Sequence, residues 1–148
     1  MGLFIEDLLN FGNLIDAEIE IRLSPLELKK AYPSLDFDIR DGVLGIKLKK
    51  KVLFFEKIKE IRLSGVDPTV KKEGQRQWIF LKRLSRVFEE LLSYGLLLEG
   101  ERVGIDIMPA VVHTQTYQKI PKQFRDKLLI NRCKIAKEDI SVFFKFEK

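Results

Sequence analysis

Histidine, cysteine and tryptophan each occur once in the chain, as His113, Cys133 and Trp78. A lone cysteine can form no intrachain disulfide, which suits a reducing compartment. One histidine and one cysteine put a Cys/His zinc site beyond the reach of a single chain. The sequence has no glycine-rich phosphate loop and no nucleophile elbow, and nothing around His113 or Cys133 suggests an activated nucleophile. No catalytic residue, cofactor or metal ligand is nominated, and an enzyme is not expected. Long apolar runs are also missing: the longest are four residues, as in Val52-Leu53-Phe54-Phe55, too short for a bilayer-spanning helix. The first residues lack the basic start, apolar stretch and small-residue cleavage site of a secretory leader, so a cytoplasmic location is expected.

What the chain does contain is enough for one ordinary domain over residues 1–148, with 45% hydrophobic and 33% charged residues and a net charge of +5. A chain of this size buries a core without staples. The charge is uneven. Residues 1–40 carry net −4, residues 41–90 net +6 and residues 91–148 net +3. An acidic front and a basic middle either pair across the fold or leave a basic face for an anionic partner.

Period-two alternation marks the strands. Ala17, Ile19, Ile21 and Leu23 form one side of the first, and Leu35, Phe37 and Ile39 one side of the second. Asp41-Gly42, the strongest short hairpin signal, returns the chain through Leu44, Ile46 and Leu48. A further strand is expected within residues 52–66, with a bulge between Ile58 and Ile61. A hairpin is expected around Glu99-Gly100-Glu101, and a last strand through Ile140, Val142, Phe144 and Phe146. Helical signals appear over residues 3–12, after Ser24-Pro25-Leu26-Glu27, where a capping box is spelled out, and after Ile120-Pro121. The longest helix is expected over residues 78–94, where Trp78, Leu81, Leu84, Phe88, Leu91 and Leu92 share a broad apolar face. Residues 70–77 read as a polar loop. These elements predict an α+β fold: a curved, mainly antiparallel sheet packed on one long helix, with two or three shorter helices.

The densest chemical signal is a basic cluster in residues 47–62. Lys47, Lys49, Lys50, Lys51, Lys57 and Lys59 are nominated as an anion-binding surface, since clustered ammonium groups attract phosphates by Coulomb forces and counterion release. The alternative is a solvated edge, where lysine deters aggregation. The nearby aromatics Phe54, Phe55 and Trp78 sit in apolar contexts and read as core. Asp36 with Asp38, and Glu18 with Glu20, are spaced like acid–base pairs but alternate with apolar residues as a wet sheet face does. Phe143 falls on the outward side of its strand and needs cover from a helix, a partner or a ligand, unless that strand is buried on both sides.

Two stretches carry a family resemblance. Residues 24–48 join the Ser24-Pro25-Leu26-Glu27 helix to the Asp41-Gly42 hairpin. Residues 103–146 run Val103-Gly104-Ile105-Asp106-Ile107-Met108-Pro109, then Ile120-Pro121, then a last alternating strand. This resembles the small bacterial lipid-binding proteins related to the tubular lipid-binding superfamily. The resemblance implies a sheet wrapped on a long helix around an apolar groove for acyl chains. It points to Leu81, Phe88, Ile105, Phe124, Leu128 and Phe144 as groove lining, and it transfers no catalytic residue. The expected function is therefore non-enzymatic binding of a lipid or other apolar small molecule, with the basic surface toward an anionic membrane. The alternative is a nucleic-acid-binding or ribonucleoprotein-associated module using the same lysines. A homo-oligomer joined through an apolar strip is a third expectation.

Overall fold

The computed structural model describes residues 18–147; the helix expected over residues 3–12 lies outside them. Nine strands and five short helices follow one another in the order β1 (Ile19–Leu23), α1 (Pro25–Ala31), β2 (Leu35–Arg40), β3 (Val43–Val52), β4 (Phe55–Glu73), β5 (Arg76–Arg83), α2 (Glu89–Leu92), β6 (Leu97–Glu99), β7 (Arg102–Asp106), α3 (Met108–Val111), α4 (Gln115–Lys119), α5 (Lys122–Arg125), β8 (Leu128–Ile135) and β9 (Ile140–Phe146). The strands form two antiparallel sheets, β2-β3-β4-β5-β7-β6 and β1-β9-β8. One hydrophobic cluster draws on both: Ile21, Ile130, Val142 and Phe144 from the smaller sheet meet Leu44, Ile46, Ile61, Ile79 and Ile105 from the larger.

This overturns the expected α+β layout. Strands take 55% and helices 18% of the described residues, and no long helix packs on a sheet. The decisive segment is the one that begins at Trp78. Residues Gln77, Trp78, Ile79, Phe80 and Leu81 are all buried on β5. A strand covered on both faces loses its period-two signature, and its apolar residues then fit a helical stripe equally well. Of the expected helix only the four residues of α2 are helical. The polar stretch before it is a tight hairpin between β4 and β5, in which Lys71 pairs with Trp78 and Lys72 with Gln77. The helix after Pro121 is similarly cut short: Leu128 and Leu129 belong to β8.

Other local signals hold. Ser24 accepts a hydrogen bond from the Glu27 N–H at 3.3 Å, while Glu27 accepts from the Ser24 N–H at 2.7 Å, so both orphan groups at the start of α1 are satisfied. Asp41 and Gly42 have φ values of 50° and 75°, the mirror-image turn that a two-residue hairpin favours.

Strand β4 spans 19 residues because it serves two partners in succession. Its first part pairs with β3 and its last part with β5, Leu63 and Ser64 pairing with both, and the β5 register shifts between Ser64 and Thr69. Pro68, with no N–H to offer a ladder, sits in that irregular stretch. At Gly65 the strand presses against its surroundings. A Cβ there would lie 2.5 Å from the Gly42 carbonyl oxygen and 2.7 Å from Ile135 Cβ. Gly65 thus lets the two sheets approach at the bend.

Gln77 ties the sheets together. Its Nε2 donates to the Leu128 carbonyl at 2.9 Å and its Oε1 accepts from the Ile130 N–H at 2.6 Å. The side-chain amide imitates one peptide of a neighbouring strand and satisfies two buried backbone groups of β8. An ion pair between Lys72 and Glu147 adds a second tie at the surface.

Candidate functional site

Strands β3 and β4 begin as an ordinary core hairpin. Leu44 pairs with Leu63 and Ile46 with Ile61, all fully buried. Past Leu48 the same two strands continue, in register, to the pair Val52–Phe55, and every residue from 49 to 58 is exposed. At about 3.4 Å per residue, this extension reaches about 14 Å beyond the core.

The end of that finger is apolar. Leu53 is 89% exposed, Phe54 98% and Phe55 73%, with Val52 and Ile58 also in solvent. Phe54 and Phe55, read from the sequence as core, are thus the opposite. Leu53 and Phe54 form the two-residue turn, and Leu53 holds φ 56°. Glycine or asparagine is the usual occupant of such a position, and a left-handed conformation costs an ordinary side chain roughly 1–2 kcal/mol. Neither solubility nor local geometry favours Leu-Phe at this place. Rule-breaking of this kind marks sites retained for something other than folding.

The six nominated lysines all lie on this hairpin, divided between its two faces. Lys47, Lys49 and Lys51 point outward, opposite Glu60, Ile58 and Glu56. Lys47 Nζ is 3.7 Å from Asp38 Oδ2, and Lys49 Nζ 4.0 Å from Asp36 Oδ2. Asp36 is bound more closely by Lys29, at 2.7 Å, and this hydrogen bond is the main cause holding its carboxyl below the usual range. The Asp36–Asp38 spacing therefore serves ion pairing. The other face carries Lys50, Lys57 and Lys59. Lys50 and Lys57 are direct cross-strand partners, a like-charge juxtaposition that destabilises a hairpin. Lys51 and Lys57 make no ion pair among the described residues. Together the lysines form a collar below the apolar tip.

Of the six residues expected to line a groove, Phe88 lies beside Lys59 at the base of the finger and the other five lie elsewhere. Leu81, Ile105, Leu128 and Phe144 are fully buried, and Phe88 and Phe124 pack half-buried against the same core. Leu128 also borders a cleft of about 260 Å³ with Lys72, Gln77, Met108 and Tyr117. Another concavity, about 550 Å³, lies on the outer sheet face and is lined by charges of both signs, including Asp38, Arg40, Lys47, Glu60 and Arg62.

Elsewhere several ionisable groups are committed to structural partners or buried. Glu18 takes Arg132 at 2.7 Å and Asn131 at 2.7 Å, and the Arg132 hydrogen bond is the main reason its carboxyl titrates low. Arg132 also lies 3.8 Å over the Phe143 ring, which provides the cover that Phe143 needs. Burial raises the Asp106 carboxyl, against hydrogen bonds from the Met108 and Gln77 N–H groups. Burial likewise pushes the Cys133 thiol up to about 12, so it is no thiolate nucleophile near neutrality. No group of three His, Cys, Asp or Glu suited to a metal occurs among the described residues. No described helix is long and apolar enough to cross a membrane.

No family model, curated protein or solved structure matches the chain.

Proposed function

We propose that the protein is a non-enzymatic binding protein that attaches to an anionic lipid surface through the β3–β4 finger. The supporting observation is the tip itself, where Leu53 and Phe54 stand almost wholly in water at the end of a lysine-collared hairpin. Burying a Leu or Phe side chain contributes about 1.5–3 kcal/mol, and each lysine near an anionic leaflet about 1 kcal/mol. The two terms act on adjacent parts of one element. The tip enters the headgroup–acyl boundary, typically 5–10 Å deep for interfacial segments, which the roughly 14 Å of free finger can supply. The lysines then lie at headgroup level. The lipid is met at the tip and not in an internal groove.

A nucleic acid would use the same lysines through counterion release, but it would draw little from Leu53. Co-sedimentation with phosphatidylcholine vesicles, with and without phosphatidylserine, separates the readings. Attachment to the anionic vesicles, weakened by salt and lost when Leu53 and Phe54 are both changed to serine, supports the proposal. Salt-sensitive binding to single-stranded RNA without attachment to either vesicle would overturn it.

A further inference from the structure

On the core-side face of the finger, two ammonium groups approach one carboxylate, and a third, on Lys57, stands directly across the strands from Lys50. Glu90, on α2, takes a direct ion pair from Lys59, and its Oε2 lies 3.8 Å from Lys50 Nζ. The hydrogen bond from Lys59 is the chief reason the Glu90 carboxyl titrates low, and the charges of Lys50 and Lys57 add to it. Lys59 is the best-held of the three. Its side chain is only 17% exposed, and its Nζ sits 5.1 Å from the centroid of the Phe88 ring. Phe88, expected to line an acyl groove, instead seats this lysine.

We propose that Lys50, Lys57 and Lys59 form a site for the phosphate monoester of a lipid headgroup, with Glu90 as its placeholder in the free protein. The proposal rests on the reading of the finger as a lipid-attachment element. The charge arithmetic favours it. One carboxylate leaves the three cations undercompensated, and the directly opposed Lys50 and Lys57 still repel. A phosphate monoester carries −1.5 to −2 charge and three acceptor oxygens near neutrality, a better match for three ammonium donors. Glu90 is 43% exposed in its side chain, so its rotation into water needs no rearrangement of the core. Helix α2 is anchored beneath by the fully buried Leu91. The lipid supplies the phosphate, because the apolar tip that would enter the acyl region is continuous with this face through the Val52–Phe55 pair.

The test compares vesicles of phosphatidylcholine carrying phosphatidic acid with vesicles carrying phosphatidylserine at equal surface charge. The wild-type protein prefers phosphatidic acid. Glu90→Gln removes the competing charge at constant size and tightens attachment to phosphatidic acid vesicles about fivefold. Lys59→Met abolishes the preference, and Lys59→Arg retains charge and attachment; thermal melts confirm that each variant is folded. Inorganic phosphate, titrated against phosphatidic acid vesicles, competes with them. If the wild type binds both vesicles equally and Glu90→Gln and Lys59→Met shift both alike, the headgroup site is wrong while the finger still docks. If inorganic phosphate binds at the three lysines without displacing the vesicles, the phosphate does not come from lipid and the proposal falls. Failure of the wild type to attach to any anionic vesicle would sink the finger reading itself.

Discussion

The two halves of the β3–β4 hairpin share strands and register, yet they follow opposite rules. In the base half, Leu44, Ile46 and Leu48 face Leu63, Ile61 and Lys59, and all the apolar members are buried. In the tip half, Lys50 faces Lys57, Val52 faces Phe55, and the turn puts Leu53 and Phe54 where water is unavoidable. The base is what hydrophobic burial and alternation produce by themselves. The tip opposes both, with like charges paired across strands and an ordinary side chain held at positive φ. A stretch that works against the stability of its own fold is what the proposed lipid attachment accounts for.

The largest expected effect sharpens the contrast on the base side. Ile46→Ala removes a fully buried side chain and is expected to cost about 2–5 kcal/mol in urea unfolding, whereas Phe54→Ala changes unfolding by less than about 0.5 kcal/mol. Gln77→Leu comes next. It strips the Leu128 carbonyl and the Ile130 N–H of their partner, with an expected net loss of about 1–3 kcal/mol and early exchange of the β8 amides. On the tip side, changing Leu53 and Phe54 together to serine is expected to weaken attachment to anionic vesicles about a hundredfold while the melting temperature holds. Leu53→Gly separates folding from function within one residue. It relieves the positive φ and is expected to stabilise the protein by about 1 kcal/mol, while its vesicle affinity falls.

A separate expectation concerns the alkaline limb. Burial raises the Cys133 thiol to about 12 from 9.0, and the Tyr32 hydroxyl to about 12 from 10.0. Both are protonated in the folded state where the unfolded chain would ionise. Their contribution is complete below the unfolded values, and it is lost as pH rises from about 9 through about 12. Thermal melts are therefore expected to fall across that window, and Cys133 should resist alkylation at neutral pH until the protein unfolds.

The legible parts of this fold are those where one local signal has one structural meaning. Asp41-Gly42 fixes a turn, Ser24 with Glu27 fixes a helix start, and the alternation through Ile140, Val142, Phe144 and Phe146 fixes a strand. Trp78-Ile79-Phe80-Leu81 is different. Buried on both faces, it carries no period, and Leu84, Phe88 and Leu91 beyond it complete a helical stripe by coincidence. Leu84 proves exposed and Leu91 alone of the three is fully buried. The role of Gln77 was hidden for a related reason, since a glutamine that follows Gly74, Gln75 and Arg76 reads as a loop until β8 is seen across from it.

The lysine collar could be found by counting charges. The tip could not, because four consecutive apolar residues ordinarily mean burial. Whether Val52-Leu53-Phe54-Phe55 lies inside or outside depends on how far β3 and β4 outrun the rest of the sheet, and that length is set by tertiary partners. The available clue was the setting: an apolar turn without glycine or asparagine, flanked by Lys49, Lys50 and Lys51 on one side and Lys57 on the other.

If the finger attaches to lipid, position 54 must leave water for it. This is tested most directly with Phe54→Trp, read above the buried Trp78 background in vesicles whose acyl chains carry bromine. On addition of anionic vesicles, the added indole is expected to shift its emission to the blue and to be quenched by bromines near the headgroup end of the chains. Emission that stays at its aqueous wavelength and is untouched by the bromines, with the protein folded and the vesicles in excess, would contradict the account.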